Sequence, residues 1–289
     1  MLLAEIKSVL SFAAFKAEAD DATVPWSKRF EGRKTLLINV SRNQTSWRGV
    51  NKKGKLDDGG VMEGEFSDIA PQQAEEWRLL ADGGWCVVSI NNRFIMSLET
   101  NMMRGDNCTN LLRTNPRAVL GPKYDRGKRY AICHHPDTAS SILLTSEESM
   151  VKVTEDVLKT IGLRPGRVCS GLFAITEYAV QELFVNQRAN VAPNLALICA
   201  CEGSVAVLLQ QDGQWKELRS RSGMGPDAVE TSIQIITPLL QKLPQGSPIY
   251  FISDGQDVKY RTEVMSQLER LGAQDITQED LMWNVIGIH

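Results

Sequence analysis

Three histidines, six cysteines and one Gly-Met-Gly turn are the groups in this 289-residue chain whose types could support catalysis or ligation. Cys133, His134 and His135 are consecutive at a strand end. Neighbouring side chains on a strand point to opposite faces, so at most two of the three can converge, which is too few for a tetrahedral metal site. His289 is the remaining histidine, and a Ser/His/Asp set therefore has few members to draw on. GxSxG, Walker A and GxGxxG patterns are absent. Ser222-Gly223-Met224-Gly225-Pro226 precedes a helix and could offer backbone N–H groups to an anion, although a flexible strand-to-helix turn is the simpler account. Cys86, Cys108, Cys133, Cys169, Cys199 and Cys201 sit mostly in apolar runs with no CxxC pair, the pattern of reduced, small hydrophobes.

Composition narrows the function classes. Hydrophobic residues make up 43% and charged residues 23%, which suits a soluble protein with a proper core. Thirty-two basic residues against 35 acidic ones, net −3, give no footprint for nucleic acid. No apolar run reaches the roughly 18 residues a membrane span needs. Near the start, Leu2, Leu3, Ile6, Val9, Leu10 and Ala13 fall at helical spacing, while Glu5 and Lys7 interrupt any signal-peptide core. An amphipathic helix and a cytosolic location are expected. Trp26, beside Lys28, Arg29 and Phe30, is the aromatic best placed for an exposed partner contact.

The elements that would position any site come in two similar sets. Leu36–Val40, a polar turn through Ser41, Arg42 and Asn43, Trp47–Val50 and Lys53-Gly54 form one strand-turn-strand-hairpin unit. Leu195–Cys199, a turn through Ala200-Cys201-Glu202-Gly203, Ser204–Leu209 and Asp212-Gly213 form another. In the first set, Asp57-Asp58-Gly59-Gly60 is expected to supply a further turn. A helix follows from Gln72 to Leu80, then strands Trp85–Ile90 and Arg93–Leu98 joined at Asn91-Asn92. Thr145 with Glu148 suggests a capping box for a helix to Ile161, with Met150, Val153, Val157, Leu158 and Ile161 as its apolar stripe. Further elements are a strand at Arg164–Cys169, helices at Leu172–Asn186, Pro226–Leu243 (with a kink at Pro238), Val258–Leu271 and Leu281–Val285, and a buried strand at Ile249–Ile252. The class is α/β with mixed sheets, since a doubly wound parallel sheet would alternate strand and helix from the start.

This order resembles the actin-like superfamily of sugar kinases, heat-shock ATPases and actin, with its ribonuclease H-like lobes. Within it the chain is most similar to the PilM, GspL and MshI-like group of type IV pilus and type II secretion assembly proteins. Leu36–Val50 and Leu195–Trp215 resemble the two phosphate hairpins, Trp85–Ser97 a strand pair of the inserted subdomain, and Ile249–Gly255 the adenosine strand and turn. Gly162-Leu163-Arg164-Pro165 resembles the group's crossover, and Ser170–Ala174 the start of the helix between lobes. The resemblance implies an N-terminal helix and linker over 1–34, a first lobe over 35–170 with an inserted subdomain at about 85–127, and a second lobe over 171–289.

In active members of that superfamily each phosphate hairpin carries an Asp followed closely by Gly, for Mg²⁺, water and phosphate. Here Asn39 and Ser41 stand in those places in the first hairpin, and Cys199 and Cys201 in the second. Asn43, Gly203, Asp254 and Gly255 complete what the resemblance marks as a vestigial nucleotide cleft. It implies no catalytic residue, no metal and no cofactor. The expected function is a non-catalytic cytoplasmic adaptor, recruited to the inner-membrane face, that binds the cytoplasmic tail of an inner-membrane assembly protein, with an assembly ATPase as a second partner. The alternative is a divergent ATP- and Mg²⁺-using ATPase or small-molecule kinase of the same fold. The segment between the second hairpin and Ile249 is short for the group, leaving little room for the subdomain that covers nucleotide.

Overall fold

One order of five strands, which makes up the whole second sheet and five of the six strands of the first, frames the protein, seen in a computed structural model that describes residues 14–15, 32–41, 44–90, 95–99, 111–112, 114–134, 141–186, 192–201, 203–225, 227–255 and 258–288. The first sheet contains β2 (Thr35–Val40), β3 (Gln44–Val50), β4 (Leu56–Glu63), β5 (Trp85–Ile90) and β9 (Arg164–Cys169). Its order is β4-β3-β2-β5-β9, antiparallel on the hairpin side of β2 and parallel on the other. The second contains β10 (Leu195–Cys201), β11 (Ser204–Gln211), β12 (Gln214–Arg221), β13 (Ile249–Ser253) and β14 (Ala273–Asp275). Its order, β12-β11-β10-β13-β14, repeats the first with the same change from antiparallel to parallel pairing. The duplication inferred from the hairpins therefore extends through each sheet.

A three-stranded antiparallel sheet, β6 (Ile95–Glu99), β8 (Ser141–Glu147) and β7 (Lys128–His134), stands apart from both in the order β6-β8-β7. Ala14–Phe15 forms β1, antiparallel to β9 at the edge of the first sheet. The apolar positions of the expected N-terminal helix, Leu2 to Ala13, lie outside the described residues, and a helix running on to residue 16 is not what Ala14 and Phe15 form. Asn91-Asn92, Trp26 and Asn43 also lie outside them.

Central strands β2 and β10 are apolar on both faces because helices cover both sides of each sheet. Helices α4 (Gly171–Gln181) and α7 (Leu281–Ile288) are apolar nearly all round, which forces burial on every side. They lie between the two sheets in one continuous core joining Leu37, Val87 and Cys169 of the first to Leu197, Cys199 and Leu208 of the second. Outer cores close each lobe. Helix α1 (Pro71–Leu80) places Trp77 against Trp47, the rings edge to face at 5.6 Å. Helices α5 (Ala228–Leu240) and α6 (Val258–Leu268) cover the outer face of the second sheet. Short α2 (Pro116–Leu120) packs with the small sheet.

Four expectations are corrected. Trp85–Ile90 does not pair with the strand after it. It runs parallel to β2 and β9 at the centre of the first sheet, since an all-buried strand belongs inside a sheet covered on both faces. Gly59 and Gly60 lie within β4 and not at a turn. Gly60 pairs with Trp47, and a Cβ on it would come within 2.5 Å of the indole ring. Their lack of side chains makes room for Trp47, and the β3–β4 turn is the one expected at Lys53-Gly54, where Asn51 Oδ1 accepts from the N–H groups of Lys53 and Lys55. Thr145 is a strand residue of β8, so no capping box forms and helix α3 runs over Glu148–Thr160. Its buried face is Val151, Thr154, Glu155 and Leu158, while Val153 is 60% exposed.

The roll of α3 follows from one arginine. Arg129 on β7 donates to both carboxylate oxygens of Glu155 (2.6 and 2.9 Å) and to both of Glu148 (2.7 and 2.9 Å). Bringing Glu155 inward turns Val153 outward.

Candidate functional site: the cleft between the lobes

Alternation along the central strands sets which residues face the other lobe. On β2, Leu36, Ile38 and Val40 join the outer core, and Leu37 joins the core between the lobes. Asn39 shares Leu37's face, opposite Ser46 on β3 and Ser89 on β5. On β10, Leu195, Leu197, Cys199 and Cys201 all join the core between the lobes. Asn39 and Cys199 are each the fifth residue of their strand, and Ser41 and Cys201 each lie two further on. The positions matched by the sequence pattern are thus also matched in the sheets.

What occupies these positions is buried and uncharged. Asn39, Ser41, Cys199 and Cys201 are each no more than 5% exposed. Burial pushes the Cys199 thiol up to about 12, opposed by a hydrogen bond with Thr176 on α4. Cys169, at the end of β9, is likewise pushed to about 11 by burial, with Arg167 opposing and Glu177 adding to the shift. The Ser41 N–H donates to the Gln44 carbonyl at 3.0 Å and closes the first turn, while its hydroxyl is buried with no hydrogen-bond partner among the described residues.

The second turn is closed by protein backbone. Gly203 has φ +63°, and its carbonyl accepts from the Met224 N–H at 2.9 Å. A Cβ on Gly203 would lie 3.2 Å from the Met224 carbonyl oxygen, so close approach of the 222–225 segment suffices to explain the glycine. Asp254, 3% exposed, donates its N–H to the Ala200 carbonyl and so seats the β13 turn beside the hairpin. Gly255 follows at φ +74°, its N–H donating to Ser253 Oγ at 3.3 Å. Cys199, Cys201, Gly203, Asp254 and Gly255 therefore gather at one end of the second sheet, with Asn39 and Ser41 at the corresponding end of the first.

The open space in this region is offset from those positions. A cavity of about 940 Å³ lies where Val40, Ser41 and Ile90 end their strands, the turn through Glu65 and Phe66 folds over, and the Ser222-Gly223 turn reaches across from the second lobe. One wall is α3, which presents Met150, Val153 and Val157. These are residues of the stripe expected to be core. The sequence signal located an apolar face correctly and assigned it to the wrong neighbour. Sequence reasoning missed Phe66 and Ile90 as cleft residues, and singled out the Ser222-Gly223 turn only as a candidate anion nest. Only the meeting of strand ends from different parts of the chain brings them together.

ATP with Mg²⁺ is what this type of fold implies, and the residues present do not fit it. Mg²⁺ takes hard oxygen ligands, usually including a carboxylate. The hairpin positions instead hold a neutral amide, a hydroxyl and two buried thiols, that of Cys199 pushed up by burial, and the backbone of Met224 lies against the one surviving glycine of the second turn. Among the described residues no three His, Cys, Asp or Glu side chains are grouped to hold a metal ion. No described helix is long and apolar enough to cross a membrane.

No family model matches the chain, and no curated protein matches it in sequence. Solved structures do. A Bacteroides thetaiotaomicron protein with an actin-like ATPase fold and unknown function superposes with a TM-score of 0.50 at 13% identity, covering 89% of this chain and 96% of that one. A chain of the PilM-PilN type IV pilus biogenesis complex superposes at 0.50 with 11% identity, covering 88% and 90%. The cytoplasmic domain of EpsL, an inner membrane component of the Vibrio cholerae type II secretion system, gives 0.44 at 10% identity, covering 82% and 95%. With both sheets repeating one order around a shared helical layer, the chain has the actin-like ATPase fold.

Proposed function

We propose that this protein is a non-catalytic actin-like adaptor whose cleft is a vestige of a nucleotide site. It binds the cytoplasmic tail of an inner-membrane protein during assembly of a type IV pilus or type II secretion platform, working at the cytoplasmic face of that membrane. The observation that carries this reading is the burial of Cys199 and Cys201 in the core between the lobes, at the positions where a nucleotide-binding member needs a carboxylate and an open glycine. The apolar wall of α3 beside this site supports a peptide ligand over a polyphosphate, and the likeness to a chain of the PilM-PilN complex supports a role in assembly.

Two measurements test it. Millimolar ATP with Mg²⁺ should leave the melting temperature of the purified protein unchanged, and a rise of several degrees or ATP turnover would overturn the non-nucleotide reading. The protein used as bait in its own host should retain an inner-membrane protein, and a synthetic peptide of that protein's cytoplasmic tail should compete it off. Failure of the peptide to compete would remove the tail as the ligand.

A further inference from the structure

A second groove lies on the outer face of the second lobe, with a lining distinct from that of the cleft. Helices α5 and α6 run side by side there, held together by a buried 2.7 Å hydrogen bond between Ser232 Oγ and Tyr260 Oη. The furrow between them has a volume of about 670 Å³. Its floor on α5 is Val229, Ile233 and Thr237, all only partly buried, at the i, i+4, i+8 spacing of a single helical stripe. Its rim carries three carboxylates, Asp227 and Glu230 on the α5 side and Glu263 on α6, and among the described residues no cation belongs to the lining.

The remaining polar groups lean the same way. Pro238, within α5 and in the lining, has no N–H to donate to the Gln234 carbonyl four residues earlier. Gln234 Nε2 is already donated to Glu230 Oε1 at 3.2 Å, leaving its amide oxygen as an acceptor. Lys259 lies 3.9 Å from Glu263 and is 85% exposed, a loose surface pair of little strength. The groove therefore offers an apolar floor between walls that accept hydrogen bonds and carry negative charge.

We propose that this groove binds an amphipathic helix of a partner protein, with an apolar stripe along one side and Lys or Arg flanking it. A third helix laid into the furrow buries its stripe on Val229 and Ile233 and sets its cations against Asp227, Glu230 and Glu263. The charge pattern selects against an acidic or neutral helix, because a carboxylate brought between those walls meets like charge. No residue lines both the groove and the cleft cavity, so this site stands or falls independently of the tail-binding reading.

The test uses the full chain and a labelled synthetic helical peptide of about four turns with Leu at i, i+3, i+4 and i+7 and Lys at the flanking positions. Fluorescence anisotropy at low salt should show saturable binding, and amide exchange should show new protection confined to α5 and α6. Exchanging every Lys of the peptide for Glu should weaken binding by at least ~10-fold, and so should Glu230→Lys with Glu263→Lys in the protein. Both of those side chains are exposed, so the double variant keeps its fold, which circular dichroism checks. Ile233→Asp should remove binding to the floor. Unchanged affinity in the double variant, or protection elsewhere, overturns the proposal. Self-association of the wild type in sedimentation that Ile233→Asp abolishes would overturn it also, since the occupant would then be a second copy of this chain.

Discussion

Arg129 and Glu155 face each other across the joint between the small sheet and the first lobe, the guanidinium edge meeting both carboxylate oxygens at 2.6 and 2.9 Å. Glu155 is fully buried and Arg129 is 11% exposed at its side chain. A buried pair of this kind need not raise stability over an apolar one, but removing one partner strands a charge. Arg129→Leu is expected to lower unfolding free energy by about 3–5 kcal/mol, measured by urea denaturation. Adding Glu155→Leu to it should recover most of that loss. No recovery would mean that packing of the arginine stem, and not charge, is what matters there.

Glu148 accepts from the other edge of the same guanidinium and is 38% exposed. Hydrogen bonding from Arg129 holds its carboxyl below the ordinary value of 4.5, against a smaller opposing effect of burial. A folded-state value below the unfolded one stabilises the protein fully above about pH 4.5 and ceases to do so as pH falls through the folded value. Glu148→Gln removes this contribution. The stability gap between wild type and variant should be under ~1 kcal/mol at pH 7, given the exposure, and should shrink as pH drops below about 4.5. A gap that widens on acidification would show the sign to be wrong.

Thiol chemistry tests the closed state of the cleft. With its thiol near 12 and no exposure, Cys199 should not react with an aromatic disulfide reagent at pH 8, and Cys86, Cys169 and Cys201, also buried, should stay unlabelled in peptide mass maps. Labelling of these four should appear only in urea, tracking unfolding. Cys199→Asp restores the carboxylate of an active hairpin, yet it places that charge in a core with α4 and α7. It should destabilise by at least ~3 kcal/mol and yield no ATP turnover. Recovery of turnover by this one change would mean that the cleft lost only its metal ligand and kept its phosphate site.

Trp47 gives a packing test. Gly60 pairs with it across the β3–β4 ladder, and the ring occupies the place a side chain at 60 would take. Gly60→Val should expel the indole from its edge-to-face contact with Trp77 and cost about 2–4 kcal/mol, with a changed tryptophan emission spectrum. An unshifted spectrum with unchanged stability would place the ring elsewhere.

These corrections show where sequence was a sufficient guide. Leu36–Val40 and Leu195–Cys199 are long apolar runs followed by small turns, and local pattern alone makes them central hairpin strands. Their partners β5 and β13 reach them through parallel pairing over long separations, which no local signal encodes. That is why Trp85–Ile90 was assigned to its sequence neighbour. Glycines 59 and 60 resembled a turn because the indole that requires them is a dozen residues away on another strand. Thr145 and Glu148 have the spacing of a capping box, but β8 draws Thr145 into a ladder with Tyr130 and Ile95. At the cleft, the equivalence of Asn39 with Cys199 was legible, whereas the cavity beside it was not, since it is walled by strand ends, a turn and α3 from four separate stretches.

Val153 allows the cleft cavity to be tested without disturbing the core. It is 60% exposed, lies on the α3 wall beside Met150 and Val157, and makes no contribution to the buried face of its helix. Val153→Asp should therefore change stability by no more than ~0.5 kcal/mol, while a carboxylate placed in the apolar wall should reduce capture of the membrane partner's tail peptide at least ~10-fold. Leu79→Asp is the matched control: its side chain is 72% exposed on α1, outside the cavity lining. It should leave tail binding unaltered. Equal loss in both variants would point to general damage to the surface, and equal retention would move the tail site away from α3, leaving the cleft as a structural remnant alone.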